Sequence, residues 1–151
     1  LAICFNNFLE TIIYLLAFIP VRIYSGGYHA ETRLRCFIIL LCVFGIFTVI
    51  NPLQLINCYM GILIAVINFI FVFLWSPLGN GNKPVSKNKG KIYRKRGLIL
   101  SILEVVIIVS FCIYAIESIY MQAYILGLLT AAISLVAGKI KNTMKGEKQN
   151  G

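Results

Sequence analysis

The sequence predicts an all-α, polytopic helical membrane protein: four transmembrane helices arranged as two hairpins, preceded by an N-terminal apolar helical segment. Three observations carry this. Residues of the set AVILMFWYC make up 60% of the 151-residue chain and charged residues only 13%, against about 45–50% and about 25% in a typical soluble domain. At a mean hydropathy of +0.89 there is too little polar surface to cover a globule in water. That excludes a soluble enzyme, a disordered tail and a nucleic-acid-binding domain, despite a formal net charge of +9. Next, all 14 Lys and Arg fall in three clusters: Arg22, Arg33 and Arg35; Lys83, Lys87, Lys89, Lys91, Arg94, Lys95 and Arg96; and Lys139, Lys141, Lys145 and Lys148. Finally, the stretches between the clusters have the length of membrane spans.

The elements follow in order within a single integral membrane domain, residues 1–151. Residues 1–21 are apolar, with Glu10 inside and Pro20 near the end; a fifth span, an interfacial helix and the tail of a longer element all fit. A signal peptide does not fit, because a basic n-region and a small-residue cleavage site are both missing. The chain begins at Leu rather than Met, as a fragment or a trimmed chain would. Residues 22–35 form a basic loop. Residues 36–78 carry no charge and are too long for one helix. They read as a hairpin broken at Asn51-Pro52, with a short first arm over 36–50 of about 22 Å and a full second arm over 53–74. Residues 79–96 form a Gly/Asn/Lys-rich basic loop, and residues 97–138 a second hairpin joined near Glu117-Ser118. Residues 139–151 form a polar, fraying tail. Two hairpins with short outer turns return all three basic clusters to one side, which the excess of Lys and Arg in inner loops makes the cytoplasmic side.

Two intramembrane acids call for a role, since a carboxylate in lipid is costly. Glu10 lies in the N-terminal segment. Glu104 lies in a predicted span, where pairing with a polar residue such as Asn68, lining a substrate groove and protonated packing are all open.

Five cysteines, Cys4, Cys36, Cys42, Cys58 and Cys112, are an odd number without a CxxC, which argues against a disulfide scaffold or a zinc site. Four of them sit in apolar stretches, where Cys acts as a small hydrophobe. Cys36 differs: it stands where the first basic cluster meets the apolar span. The chain's one histidine, His29, precedes it by seven residues. A His beside a boundary Cys suits a base and nucleophile; on spacing alone, a hydrogen-bonded interfacial His and a filler Cys are the favoured reading. Thr32 is a candidate N-cap that would put Cys36 in a first helical turn. There exposed amides, Arg33 and Arg35 favour thiolate. On one straight helix the two residues would lie about 10.5 Å apart along the axis, too far for proton transfer. Gly26-Gly27 supplies the freedom to fold back, and serves an ordinary interfacial turn as readily. Glu31 could orient His29 or merely balance the neighbouring arginines, the second being favoured.

The run RIYSGGYHA from Arg22 to Ala30, with Cys36 seven residues after His29, resembles the signature of the AgrB family, the accessory gene regulator membrane peptidases of Gram-positive bacteria. Trp75-Ser-Pro77, followed by Asn82-Lys83-Pro84 and the basic run, is similar to that family's central cytoplasmic loop, and the four-span topology matches as well. The resemblance implies a cysteine endopeptidase that cuts an AgrD-like precursor peptide and yields a cyclic thiolactone or lactone for quorum sensing. It implies Cys36 as nucleophile and His29 as its base, both at the cytoplasmic face of the cell membrane. Arg22, Gly26 and Gly27 match positions tied to activity or geometry; Lys83, Lys87 and Lys89 match the loop. No cofactor and no metal is implied. The partners are the precursor and the bilayer, with a homodimer as a further expectation and no nucleic acid. Family members usually carry a longer region before the motif than the 28 residues preceding His29 here. Two other classes compete: a peptide transporter or export partner, which calls for broken helices and paired intramembrane charges, and a non-catalytic membrane scaffold.

Overall fold

The computed structural model describes residues 8–25, 33–76, 87–114 and 119–149. They form five helices: α1 (Phe8–Ser25), α2 (Arg33–Ile50), α3 (Cys58–Trp75), α4 (Lys87–Ile113) and α5 (Ile119–Gln149). No strand occurs among the described residues. Four helical stretches are long and apolar enough to cross a membrane: Phe8–Ser25, Cys58–Trp75, Gly90–Ile113 and Ile119–Met144. The all-α, multi-pass architecture is thus the one the sequence predicts. The N-terminal segment takes span length and continues through Pro20 to Ser25; a missing backbone N–H is tolerated where neighbouring helices support the segment. The short arm is α2, which together with the turn after it gives a shorter apolar helical stretch, Leu41–Leu53.

The break expected at Asn51-Pro52 is a 3-10 turn, Asn51–Leu53, closed by Gln54 in the left-handed region at φ 47°. Buried turn backbone needs partners, and α5 supplies them. The Gln122 side-chain amide donates to the carbonyls of Ile50 and Asn51, each at 2.9 Å, and its carbonyl accepts from the Ile56 N–H at 3.3 Å. Two helices outrun the expected spans. The loop assigned to 79–96 is helical from Lys87, and the tail assigned to 139–151 is helical to Gln149. Lys and Arg are good helix formers and no proline interrupts either run, so each helix carries its polar end beyond the apolar layer. The join near Glu117-Ser118 lies outside the described residues.

The core belongs to α1, α3, α4 and α5. Ala17 and Val21 of α1, Ala65 and Val72 of α3, Ile108 of α4, and Met121, Ile125 and Leu128 of α5 form one buried cluster. The closest approach is between α1 and α5. A Cβ added to Gly127 would stand 2.6 Å from the Tyr14 carbonyl oxygen and 2.8 Å from the Ala17 Cβ; backbones come this near in membranes only over small residues. Tyr14 fastens the same seam. Its hydroxyl donates to Thr130 at 3.0 Å and its ring packs 4.4 Å from that of Phe47. Glu104 pairs with Asn68, whose amide donates to the carboxylate at 3.2 Å, with both residues buried between α4 and α3. Of the roles open to Glu104, pairing is the one observed.

One expectation needs correction. Cys58 and Cys112 are bonded to each other, with Cα atoms 5.6 Å apart, rather than acting as separate small hydrophobes. The pairing comes from packing: the start of α3 meets the end of α4, 54 residues later. No local spacing encodes that. Cys42 is free and exposed.

Candidate functional site

The two ends of the bundle differ in chemistry. The end with the Cys58–Cys112 bond also holds the Gln122-braced turn and the exposed tyrosines Tyr59 and Tyr114. Amphipathic rings of this kind settle at a membrane–water boundary. The other end gathers the basic residues. Arg96 of α4 lies 5.8 Å over the ring of Tyr24, and the Tyr24 ring meets Tyr93 edge to face at 6.0 Å. The Ser76 hydroxyl donates to the Tyr24 carbonyl at 3.4 Å. These contacts tie the end of α1 to the end of α3 and the basic start of α4. Arg22 adds α5: its guanidinium donates to the Ser134 hydroxyl at 2.8 Å and lies 5.4 Å over the Phe18 ring. Lys139 and Lys141 follow Ser134 on the same helix. Described members of the three basic clusters, Arg22, Arg96 and Lys139 among them, therefore share one end, as their spacing predicts.

Of the residues singled out by sequence, Arg22 is placed in full: half-buried, in the last turn of α1, where a cation suits the negative end of the helix dipole. Cys36 falls in the first turn of α2, which begins at Arg33. Lys87 and Lys89 fall in the first turn of α4. His29, Gly26, Gly27, Thr32, Glu31 and Lys83 lie outside the described residues, as do the side chains of Cys36, Lys87 and Lys89.

α2 packs unevenly. Near its C-terminal end Phe47 is buried, and Phe44 and Ile50 pack with it against Tyr14, Ala123 and Leu126. Toward Cys36 the described side chains Leu34, Ile38 and Ile39 are exposed. Among the described side chains of α2, Phe47 is the one buried against the bundle, and an opening lies beside it. The opening is a cavity of about 310 Å³ between α1, α2 and α5, bounded by Phe18 and Ile19 of α1, Ile39 and Val43 of α2, and Ile133 of α5. Its polar lining is Arg22, Thr130 and Ser134. Sequence reading missed Ser134 and Thr130. Their spacing of four residues puts them on one face of α5, but Ser and Thr on an apolar helix carry no signal until another helix faces them.

Helices crossing an apolar layer, with basic residues at one end and a Cys at the head of a loosely held helix, define a multi-pass helical membrane protein with a boundary thiol. The chain matches the family Accessory gene regulator B (AgrB) over residues 1–135, and it belongs to that family. It is 32% identical over 125 residues to an AgrB-like protein of Clostridium perfringens strain SM101, covering 76% of this chain and 58% of the relative. It is 27% identical over 139 residues to the accessory gene regulator protein B of Staphylococcus lugdunensis, covering 89% and 69%. The chain thus spans somewhat over half the length of the clostridial relative. No solved structure matches it.

Proposed function

We propose that this chain is the membrane-embedded part of a cysteine endopeptidase of an agr quorum-sensing system, acting on an AgrD-type precursor at the cytoplasmic face of a Gram-positive cell membrane. The observation that carries the reading is the family match over residues 1–135. That region contains His29 and Cys36, and Cys36 stands in the first turn of α2 at the basic end of the bundle. Amide N–H groups left free in a first helical turn stabilise a thiolate and a nearby oxyanion.

In this reading His29 takes the Cys36 proton and the thiolate adds to a precursor carbonyl. The C–N bond breaks, and the departing amine takes the proton back from His29 as general acid. A thioester on Cys36 remains. A Cys or Ser side chain of the precursor then attacks it, losing its own proton to His29. The C–S bond to Cys36 breaks, the thiolate is reprotonated, and the ring closes as thiolactone or lactone. Exchange of one thioester for another is nearly balanced, so ring closure competes with water. A partly dry site and a tethered nucleophile favour closure. Arg22, Gly26 and Gly27 support the activity of the pair His29 and Cys36. Lys83, Lys87 and Lys89 draw an acidic segment of the precursor by charge, and two copies of the chain form the working unit.

Cys36→Ala or His29→Ala is expected to abolish processing of a co-expressed precursor while the amount of protein in the membrane stays normal. Mass spectrometry of the wild-type protein is expected to find an acyl adduct on Cys36. Undiminished processing by Cys36→Ala would overturn the reading.

A further inference from the structure

The cavity between α1, α2 and α5 is unassigned by family membership, and its position relative to Cys36 is informative. Ile39 and Val43 form its α2 wall. They follow Cys36 by three and seven residues, the register that places all three positions on one face of a helix. Val43 is about 10 Å along the helix axis from Cys36, the reach of about three residues of extended peptide. The α2 wall of the cavity thus lies on the helix face that also carries position 36, one to two turns further into the apolar layer.

We propose that this cavity is the acyl-side substrate subsite, holding in extended form the apolar peptide segment that remains joined to the enzyme after cleavage. The proposal rests on the reading of Cys36 as nucleophile.

The lining decides between a peptide and a lipid tail. An acyl chain needs only apolar walls. A peptide main chain drawn into lipid must have its N–H and C=O groups satisfied, and the cavity carries a polar line along one side. Ser134 accepts a hydrogen bond from Arg22, which leaves its hydroxyl proton to donate to a carbonyl. Thr130 accepts from Tyr14 and donates to the Leu126 carbonyl; its second lone pair remains for an N–H. Leu15, Phe18, Ile19, Ile39, Val43 and Ile133 supply the apolar walls. A volume of about 310 Å³ is at the lower end for ligand sites and suits two or three apolar side chains.

The chemistry decides which half of the substrate binds there. The C-terminal fragment must depart into water once its amine is released, and an apolar slot would retain it. The acyl half must stay while the ring closes, away from competing water. An apolar slot on the helix face that carries position 36 holds the half that has to remain and leaves the other half on the aqueous, basic side.

The test uses the full-length protein in membranes of cells co-expressing an AgrD-type precursor. Benzoylphenylalanine replaces Ile133 or, separately, Val43, on opposite walls of the cavity. Ile133 is 60% exposed, so the larger side chain leaves the helix packing undisturbed. After irradiation, the captured peptide is sequenced by mass spectrometry. Capture from both walls of residues on the N-terminal side of the cleavage point is expected. Capture of only the C-terminal fragment, or of phospholipid alone, would overturn the proposal. In parallel, Ile133→Trp and Val43→Trp are expected to slow cleavage at least tenfold, whereas Leu103→Trp, on an exposed position of α4, leaves it unchanged. Equal rates in all three would also overturn it. The Cys36 adduct is scored separately. An adduct without capture overturns the subsite and keeps Cys36 as nucleophile; capture without an adduct keeps a peptide-binding cavity but overturns its assignment to a segment held on Cys36.

Discussion

α5 and α2 are both apolar helices of one chain, yet they are held in opposite ways. α5 is buried along most of its apolar length, and the backbone of α1 crosses directly over Gly127. α2 is fixed at one end by Phe47 and the Gln122-braced turn, and its other end, which carries Cys36, has exposed side chains. The difference shows a division of labour. A bundle of α1, α3, α4 and α5 provides the wall, and α2, a helix with fewer contacts, closes the proposed subsite on the other side. Regions with few buried contacts open at lower free energy than the core, so the position proposed as nucleophile stands on the helix whose displacement costs least.

The sharpest way to break the comparison is to substitute a glycine in each half. Gly127→Val forces methyl groups into the Tyr14 carbonyl and Ala17, 2.6 and 2.8 Å from the first added carbon. Overpacking of this kind costs about 1–3 kcal/mol and more where backbone blocks relief, so a loss of about 3 kcal/mol is expected. Gly45 of α2 has nothing within 4 Å of an added Cβ. There Gly45→Ala is expected to be neutral or to stabilise by up to about 0.8 kcal/mol through helix propensity. Thermal unfolding in detergent by tryptophan fluorescence reads both. A similar loss at the two positions would show that α2 is packed as tightly as α5.

The two halves also differed in legibility. Composition and the three basic clusters were enough for the fold class, because lipid imposes the same apolar length on every span and loop charge sets orientation. The turn at Asn51-Pro52 was visible because an uncharged stretch too long for one span holds an Asn-Pro pair in its middle, whereas Pro20, within a single span's length, does not interrupt α1. Three features were hidden. The Cys58–Cys112 bond, the Gly127 crossing and the Thr130–Ser134 line all depend on which helices face each other, and uniformly apolar helices carry little periodicity from which to read a face. The helical extents of 87–96 and 139–149 were hidden for a different reason: charge marks where lipid ends, not where a helix ends. At the site, RIYSGGYHA and Cys36 were readable as a motif, and Arg22 gained a partner in Ser134 that no motif specifies.

Glu104 allows a second, smaller test. Glu104→Ala leaves the buried Asn68 amide without its acceptor, and the Asn68 side-chain carbonyl already has no partner. A buried unsatisfied group costs about 1–3 kcal/mol, so a loss near 2 kcal/mol is expected. Glu104→Gln keeps an acceptor and is expected to stay close to wild type. Because the pair lies between α3 and α4, away from the α1–α2–α5 cavity, precursor processing below the unfolding transition is expected to be unchanged in both. Loss of processing in Glu104→Gln at full stability would give this carboxylate a part in conduction, as the transporter class requires.

The smallest effect belongs to the Cys58–Cys112 bond, and it also reports orientation. For a 54-residue separation the chain-entropy argument gives about 4 kcal/mol. That figure takes a random coil as reference, whereas helices that span a membrane remain formed and inserted when their packing is lost. The bond then restricts only how two helices diffuse apart, and a loss of about 1 kcal/mol is expected for the double change Cys58→Ser and Cys112→Ser. A disulfide persists on the oxidising side of a membrane, so the end opposite the basic clusters should face outward. A membrane-impermeant reductant added to intact cells is therefore expected to free both thiols, which an impermeant maleimide then labels in the wild type and not in the double variant. Labelling only after the cells are opened would invert the chain, place the basic end outside, and separate Cys36 from any precursor made in the cytoplasm.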